Sequence, residues 1–284
     1  MAATPQVAIV GAGPAGKAAA RELVKRELSV VLFEKEASSG GLMRFGYPSF
    51  RMPSAISERD ARSLADLGIE TKTGQELGRN LQLDELTRDY GAVLLTVGAP
   101  VPRRLGVSGE NLTGVYDALS FLYASRIEQP LPIGRRVLVI GGGDTSVDGA
   151  TTALQLGAKE SVIVYRGTAE KLPAQATEVR FAKAQGVAFR FGTTVTKIER
   201  DDADRLTVHF ADGSTEAFDI VIVAVGQELD ASFLTALGLK IHPDGSTNQP
   251  KVFIAGGTLY GSNRLSHAIL DGRRAAARIA EYLS

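Results

Sequence analysis

There is no cysteine in the 284 residues. That excludes a redox-active dithiol, thiolate ligation of an iron–sulfur cluster and a cysteine nucleophile. It also leaves disulfide logic silent about compartment. Histidine is nearly as scarce. His209, His242 and His267 are scattered, and a metal site needs several convergent ligands, so none is expected. No apolar run approaches the roughly 20 residues of a membrane span. Neither sign of charge is in excess, because 32 Lys and Arg balance 32 Asp and Glu. Nothing therefore points to nucleic acid or to an anionic membrane as a partner. The first apolar run begins within about six residues, which leaves no room for a secretory leader here, and a cytoplasmic location is expected.

What the chain has is glycine in two telling places. The first is Val7-Ala8-Ile9-Val10-Gly11-Ala12-Gly13-Pro14-Ala15-Gly16, followed by Val30-Val31-Leu32-Phe33-Glu34. An apolar strand runs into glycines, a helix over Lys17–Arg26 follows, and a second strand ends in an acid. Gly11 permits a tight turn, Gly13 lets backbone approach a pyrophosphate, and Gly16 allows close helix–strand packing. The diphosphate would rest on the helix N-terminus. Glu34 stands about 20 residues on, where a carboxylate accepts from a ribose diol.

The second place is Val137-Leu138-Val139-Ile140-Gly141-Gly142-Gly143-Asp144-Thr145-Ser146, followed by Val162-Ile163-Val164-Tyr165-Arg166. Here Ser146 replaces the third glycine, and Asp144 and Thr145 are suited to cap the helix. Arg166 occupies the place of the acid. A guanidinium there suits a 2′-phosphate, so NADPH is expected ahead of NADH. The alternative is a solvated surface arginine on an ordinary turn.

Around these motifs the chain reads as α/β. A long loop, Lys35–Pro53, is rich in glycine and aromatics, and such loops are usually functional. A helix is expected over Ser54–Leu67, then a strand Ala92–Val97 leading to Gly98-Ala99-Pro100, then a linking helix Asp117–Ser125. The second β-α-β begins at Arg136, with helices at Thr145–Leu156 and Gln175–Gln185. Alternating stretches at Val195–Glu199, Leu206–Phe210 and Thr215–Phe218 read as an antiparallel ribbon turned at Ala211–Ser214. Asp219–Val225 and Val252–Ala255 are buried strands, and Ser266–Leu283 is a helix. The length suits two domains.

Several of these segments resemble one family. They are Glu34-Lys35 … Gly40-Gly41-Leu42, Gly46-Tyr47-Pro48-Ser49-Phe50-Arg51-Met52-Pro53, Gly142-Gly143-Asp144-Thr145 … Asp148, Val164-Tyr165-Arg166 … Leu172-Pro173-Ala174, and Phe253-Ile254-Ala255-Gly256-Gly257 … Asp271-Gly272-Arg273. Over essentially its whole length the chain resembles the NADPH-dependent flavoprotein module of the glutamate synthase small subunit. That module also occurs near the N-terminus of dihydropyrimidine dehydrogenase, and thioredoxin reductase is a more distant relative.

The resemblance implies two Rossmann-like dinucleotide-binding domains, the NAD(P)H domain (111–227) inserted into a discontinuous FAD domain (1–110 and 228–284). Carried over, Gly11, Gly13, Pro14, Ala15 and Gly16 would hold the FAD pyrophosphate, and Glu34 with Lys35 its adenosine ribose. Gly41, Leu42 and Arg51 would line the flavin side, and Leu77 the adenine half. Gly98, Gly257, Thr258, Leu265 and Ser266 would face the ribityl chain and ring. Gly142, Gly143, Asp144, Thr145, Tyr165 and Arg166 would contact NADPH, with Ala224, Val225 and Gly226 near its nicotinamide half.

Three departures stand out. Thr258 replaces the family's aspartate, Gly167 replaces a second arginine, and the relatives' cysteine-rich region is absent from this sequence. The implied activity is an FAD-dependent NAD(P)H oxidoreductase. Hydride would pass from nicotinamide to flavin, with no side-chain base required; His267 is a weak candidate for proton transfer and a better one for packing. Electrons would leave for a separate protein such as a ferredoxin, flavodoxin or iron–sulfur subunit. Direct reduction of a quinone or oxygen, a non-catalytic nucleotide-binding subunit or redox sensor, and a homodimer all stay open.

Overall fold

The computed structural model describes residues 6–98, 101–127, 129, 131–202, 204–228, 231–260 and 265–284. The Ala99-Pro100 end of the first block lies outside them. The chain divides into two compact units. One comprises Met1–Arg44, Ser49–Val101 and Gln227–Ser284, and the other Phe45–Pro48 and Pro102–Gly226. The first crossing thus falls at 101/102, where the sequence reading placed it at 110/111.

The first unit is built on a five-stranded, wholly parallel sheet. Its order is Val252–Ile254, Ala92–Leu95, Val7–Val10, Val30–Glu34, Glu70–Thr73. Four of these strands are buried at every position. A parallel sheet is covered on both faces, which is why they read as unbroken apolar runs. Helix Pro14–Val24 begins with proline in its first turn, where the missing N–H costs nothing. It packs with helix Leu265–Leu283 over one face, around Ala19, Leu23, Ala276 and Ile279. Leu77, Leu81, Leu86 and Leu234 fill the other face. Lys17 is buried, and its ammonium meets Asp60 at 2.7 Å, fastening helix Ser54–Ala65 to the glycine-loop helix.

The second unit repeats the plan. Its parallel sheet runs Val115–Asp117, Ile220–Val223, Arg136–Ile140, Glu160–Tyr165, Ala188–Phe191. Asp117 caps helix Ala118–Arg126 by accepting from Ser120 N at 3.0 Å. The ribbon Val195–Arg200, Leu206–Phe210, Thr215–Phe218 is antiparallel. Arg190 fixes its turn through Asp212 and Glu216, its guanidinium 4.0 Å above the Phe210 ring. The Ser214 hydroxyl, then its N–H and Arg190, hold the Asp212 carboxyl down to about 2. Among the described residues no helix is long and apolar enough to cross a membrane.

Two expectations need correction. The loop Lys35–Pro53 contains one helical turn, Leu42–Phe45. The first sheet also has a strand, Glu70–Thr73, that the sequence hides, because this polar edge strand is mostly exposed and shows no apolar alternation.

Candidate dinucleotide-binding sites

In the first unit the glycine loop leaves the central strand at the point where strand order reverses, the usual place for a ligand in an open α/β sheet. Gly11 has φ +103, and a Cβ there would lie 2.4 Å from the Thr96 carbonyl oxygen. A Cβ at Gly16 would lie 2.0 Å from the Gly11 oxygen. Both positions therefore need glycine for the protein's own packing. Gly13 does not. Its backbone is extended (φ −78, ψ −172), and a Cβ there would meet only Gly41 Cα at 3.9 Å. A glycine that neither conformation nor packing demands leaves backbone bare toward something other than protein, which fits a pyrophosphate.

Glu34 ends the adjacent strand and is 5% exposed. Its Oε2 accepts from Ala12 N at 2.9 Å and its Oε1 from Glu36 N at 3.1 Å. A carboxylate has about four acceptor positions, so a ribose diol can still be served. The carboxylate thus also shapes the loop, a second role the sequence did not suggest. Thr96 Oγ1 donates to Gly11 O at 2.8 Å and braces the loop from the neighbouring strand. Lys35 is exposed.

The other residues expected near a flavin fall out unevenly. A Cβ on Gly41 would lie 2.9 Å from Gly13 Cα, so this loop lies directly against the cradle. Leu42 is 49% exposed and Arg51 partly so. Leu77 is a core residue packed in the Phe33–Leu81–Leu86 cluster, so its side chain serves the fold. Thr258, in the short helix Gly257–Tyr260, is fully buried, and its hydroxyl accepts from Gly98 N at 2.9 Å. The hydroxyl is thus engaged with the end of a neighbouring strand. Leu265, Ser266 and His267 form the first turn of the last helix, with Ser266 and His267 exposed.

The second unit carries the same cradle. Gly143 is extended (φ −86, ψ 175), and a Cβ there would meet nothing within 4 Å. Gly141 plays the part of Gly11, its added Cβ falling 2.4 Å from the Ala224 oxygen. Ser146 replaces the packing glycine, and its hydroxyl donates to Gly143 O at 2.6 Å. Asp144 and Thr145 were expected to cap the helix. Instead Gly143 is the cap residue, and Asp144 accepts from Gln175 N at 2.8 Å and from the Gln175 amide at 2.9 Å. The acid pins the loop after Pro173, because it already lies inside the helix.

Tyr165 fills the side of this loop. An added Cβ at Gly142 would sit 2.5 Å from its ring, and one at Gly167 would sit 2.7 Å from it. Its hydroxyl donates to Lys171 O at 3.0 Å. With the ring there, a side chain at position 167 would have to displace Tyr165. Arg166 is exposed and makes no hydrogen bond or ion pair among the described residues. Val225 is half-buried, and the exposed Gly226 has its carbonyl bonded to Arg103 N at 3.0 Å.

The model of the pyridine nucleotide-disulphide oxidoreductase family matches residues 5–272. The chain is 34% identical to the glutamate synthase [NADPH] small chain of Escherichia coli K12, across 98% of this chain and 68% of that one. It is 32% identical to subunit PreT of the NAD-dependent dihydropyrimidine dehydrogenase of the same strain, again across 98% and 68%. Lactococcus lactis thioredoxin reductase superposes with TM-score 0.75 at 24% identity, covering 98% of this chain and 99% of that one, a likeness that carries the fold alone. The chain belongs to the pyridine nucleotide-disulphide oxidoreductase family. It is an FAD-dependent NAD(P)H oxidoreductase. The sequence contains no cysteine, so it offers no thiol for the disulphide half of the family's chemistry.

Proposed function

We propose that the first unit holds FAD, that the second holds NADPH, and that electrons pass on to a separate protein. The observation that carries this reading is the pair of bare glycines, Gly13 and Gly143, each beside a different charge. The buried Glu34 carboxylate suits a ribose diol, and the exposed Arg166 guanidinium, with no partner among the described residues, suits a 2′-phosphate. Bound together, the two cofactors supply hydride transfer from nicotinamide C4 to flavin N5.

The chain's own part is binding and orientation. Gly13 and the N–H groups opening helix Pro14–Val24 receive one diphosphate, and Gly143 with helix Asp144–Gln155 receives the other. Glu34 orients the first ribose while holding Ala12. Arg166 reads the second nucleotide, and Tyr165 keeps position 167 small, so one guanidinium alone sets the preference for NADPH. Gly41, Leu42 and Arg51 supply the wall beside the first cradle.

The acceptor follows from chemistry. The chain has no cysteine with which to hold an iron–sulfur centre of its own. The two curated relatives bear the names of a small chain and a subunit. We place the next carrier on a partner, an iron–sulfur subunit, ferredoxin or flavodoxin, and the enzyme in the cytoplasm. The test is anaerobic reduction by NADPH followed by mixing with ferredoxin, flavodoxin, menadione or oxygen. Reoxidation by a protein carrier at least ten times faster than by the small acceptors is expected. Equal or faster reoxidation by the quinone would make the chain a direct reductase.

A further inference from the structure

Asp271 is a buried acid that the reading above leaves unused. It lies in helix Leu265–Leu283 and is 6% exposed. Its Oδ2 accepts from Gly256 N at 2.5 Å, and this is the carboxylate's only bond among the described residues. Gly256 follows strand Val252–Ile254 and turns with φ +70. A Cβ at Gly256 would lie 2.8 Å from Ala15 Cβ, and one at Gly272 would lie 2.1 Å from the Ala15 oxygen. Asp271 and Gly272 therefore lock three pieces together at Ala15: the glycine-loop helix, the turn at the strand end and the last helix.

Thr258 lies two residues beyond this turn and is neutral. Its hydroxyl is taken by Gly98 N. No acid stands at the strand end itself, and the carboxylate that reaches the turn comes from the neighbouring helix. A buried carboxylate with one donor is costly to hold, so a site that keeps one uses its charge or its geometry.

We propose that Asp271 is a positioning residue for the flavin, pinning the Gly256–Gly257 turn and setting a fixed negative charge behind it that lowers the flavin's reduction potential. The proposal rests on the first unit being the FAD site. The amide of Asp271→Asn can still accept from Gly256 N but carries no charge. A negative charge disfavours the reduced, anionic ring, so its removal favours the reduced state. Asp271→Ala removes both the charge and the acceptor, which leaves Gly256 N unpaired in the interior.

The experiment measures FAD affinity by fluorescence and midpoint potential by dye equilibration, in wild type, Asp271→Asn, Asp271→Ala and the double variant Asp271→Asn/Thr258→Asp. Asp271→Asn is expected to keep its affinity for oxidised FAD within threefold. Its ratio of reduced to oxidised affinity should shift about tenfold, which is about 30 mV upward for a two-electron couple. Asp271→Ala should bind FAD at least tenfold more weakly. Restoring an acid in the double variant should bring the potential back down, a recovery that a merely structural role would not produce. An unchanged potential in Asp271→Asn, with FAD bound, overturns the proposal and leaves the FAD site standing. A wild type that binds no FAD overturns the site, and the proposal with it.

Discussion

At the sixth position of the first glycine loop, helix and turn approach so closely that only Gly16 fits. At the matching position of the second loop there is room for Ser146, whose hydroxyl turns back onto Gly143. The acid beside the first loop is buried and already bonded to Ala12 and Glu36, while the arginine beside the second is exposed and makes no hydrogen bond or ion pair among the described residues. Two units that share four parallel strands arranged alike around the glycine-loop strand thus differ in how far the group beside the loop belongs to the fold. On the proposed assignment, the first is built around its ligand group, as suits a resident cofactor. On the same assignment, the second leaves its ligand group without a partner among the described residues, as suits a substrate that comes and goes.

The largest break in that contrast should come from adding one methyl group to each loop. Gly16→Ala forces a Cβ onto the Gly11 carbonyl and should destabilise the protein by about 3 kcal/mol. Gly143→Ala meets no atom and should cost at most about 1 kcal/mol, the loss of a glycine cap, while weakening NADPH binding. Urea unfolding of the two variants compares them directly, and equal losses would erase the distinction.

Next in size is Glu34→Ala. It strands the buried Ala12 N–H and should cost about 1–3 kcal/mol of stability, with FAD lost on gel filtration. Affinity for NADPH, measured by calorimetry, should not move. Arg166→Ala should show the reverse pattern. Stability should stay within about 0.5 kcal/mol of wild type, and the preference for NADPH over NADH should fall on the order of tenfold. If the ratio of the two reduction rates is unchanged, the 2′-phosphate is read by another residue.

The smallest effect concerns the antiparallel ribbon of the second unit. Asp212 is held down to about 2 by Ser214 and Arg190. A depressed carboxyl contributes fully above its unfolded value and loses that contribution as pH falls through the folded one. Protection of the Ser214 amide, taken relative to its intrinsic exchange rate at each pH, should therefore hold to about pH 4 and fall toward pH 2, sooner than in the first unit's core. Equal loss of protection in both units would mean that the turn is held by packing instead.

The parts of this contrast that could be read in advance are those written as runs. Val7–Val10, Val30–Glu34 and Arg136–Ile140 announce themselves because a doubly covered strand must be apolar throughout. The glycine loops announce themselves through spacing. The polar edge strand Glu70–Thr73 was hidden because burial did not write it. Contacts across the chain were hidden for another reason. Glu34 to Ala12, Thr258 to Gly98 and Asp271 to Gly256 join residues 22, 160 and 15 positions apart, and only the folded sheet brings them together. Asp144 misled because its place in the loop resembles a cap, while the fold offered it Gln175.

The most direct test is an anaerobic titration of the purified, FAD-loaded protein, followed at the flavin absorbance band, in wild type and in Arg166→Ala. The account predicts that FAD stays bound in both and that NADPH bleaches the wild type at lower concentration than NADH. It predicts that Arg166→Ala closes most of that gap without releasing flavin. A heat-released cofactor that proves to be FMN, or an Arg166→Ala protein that loses FAD and keeps its preference for NADPH, would contradict the assignment of the two loops.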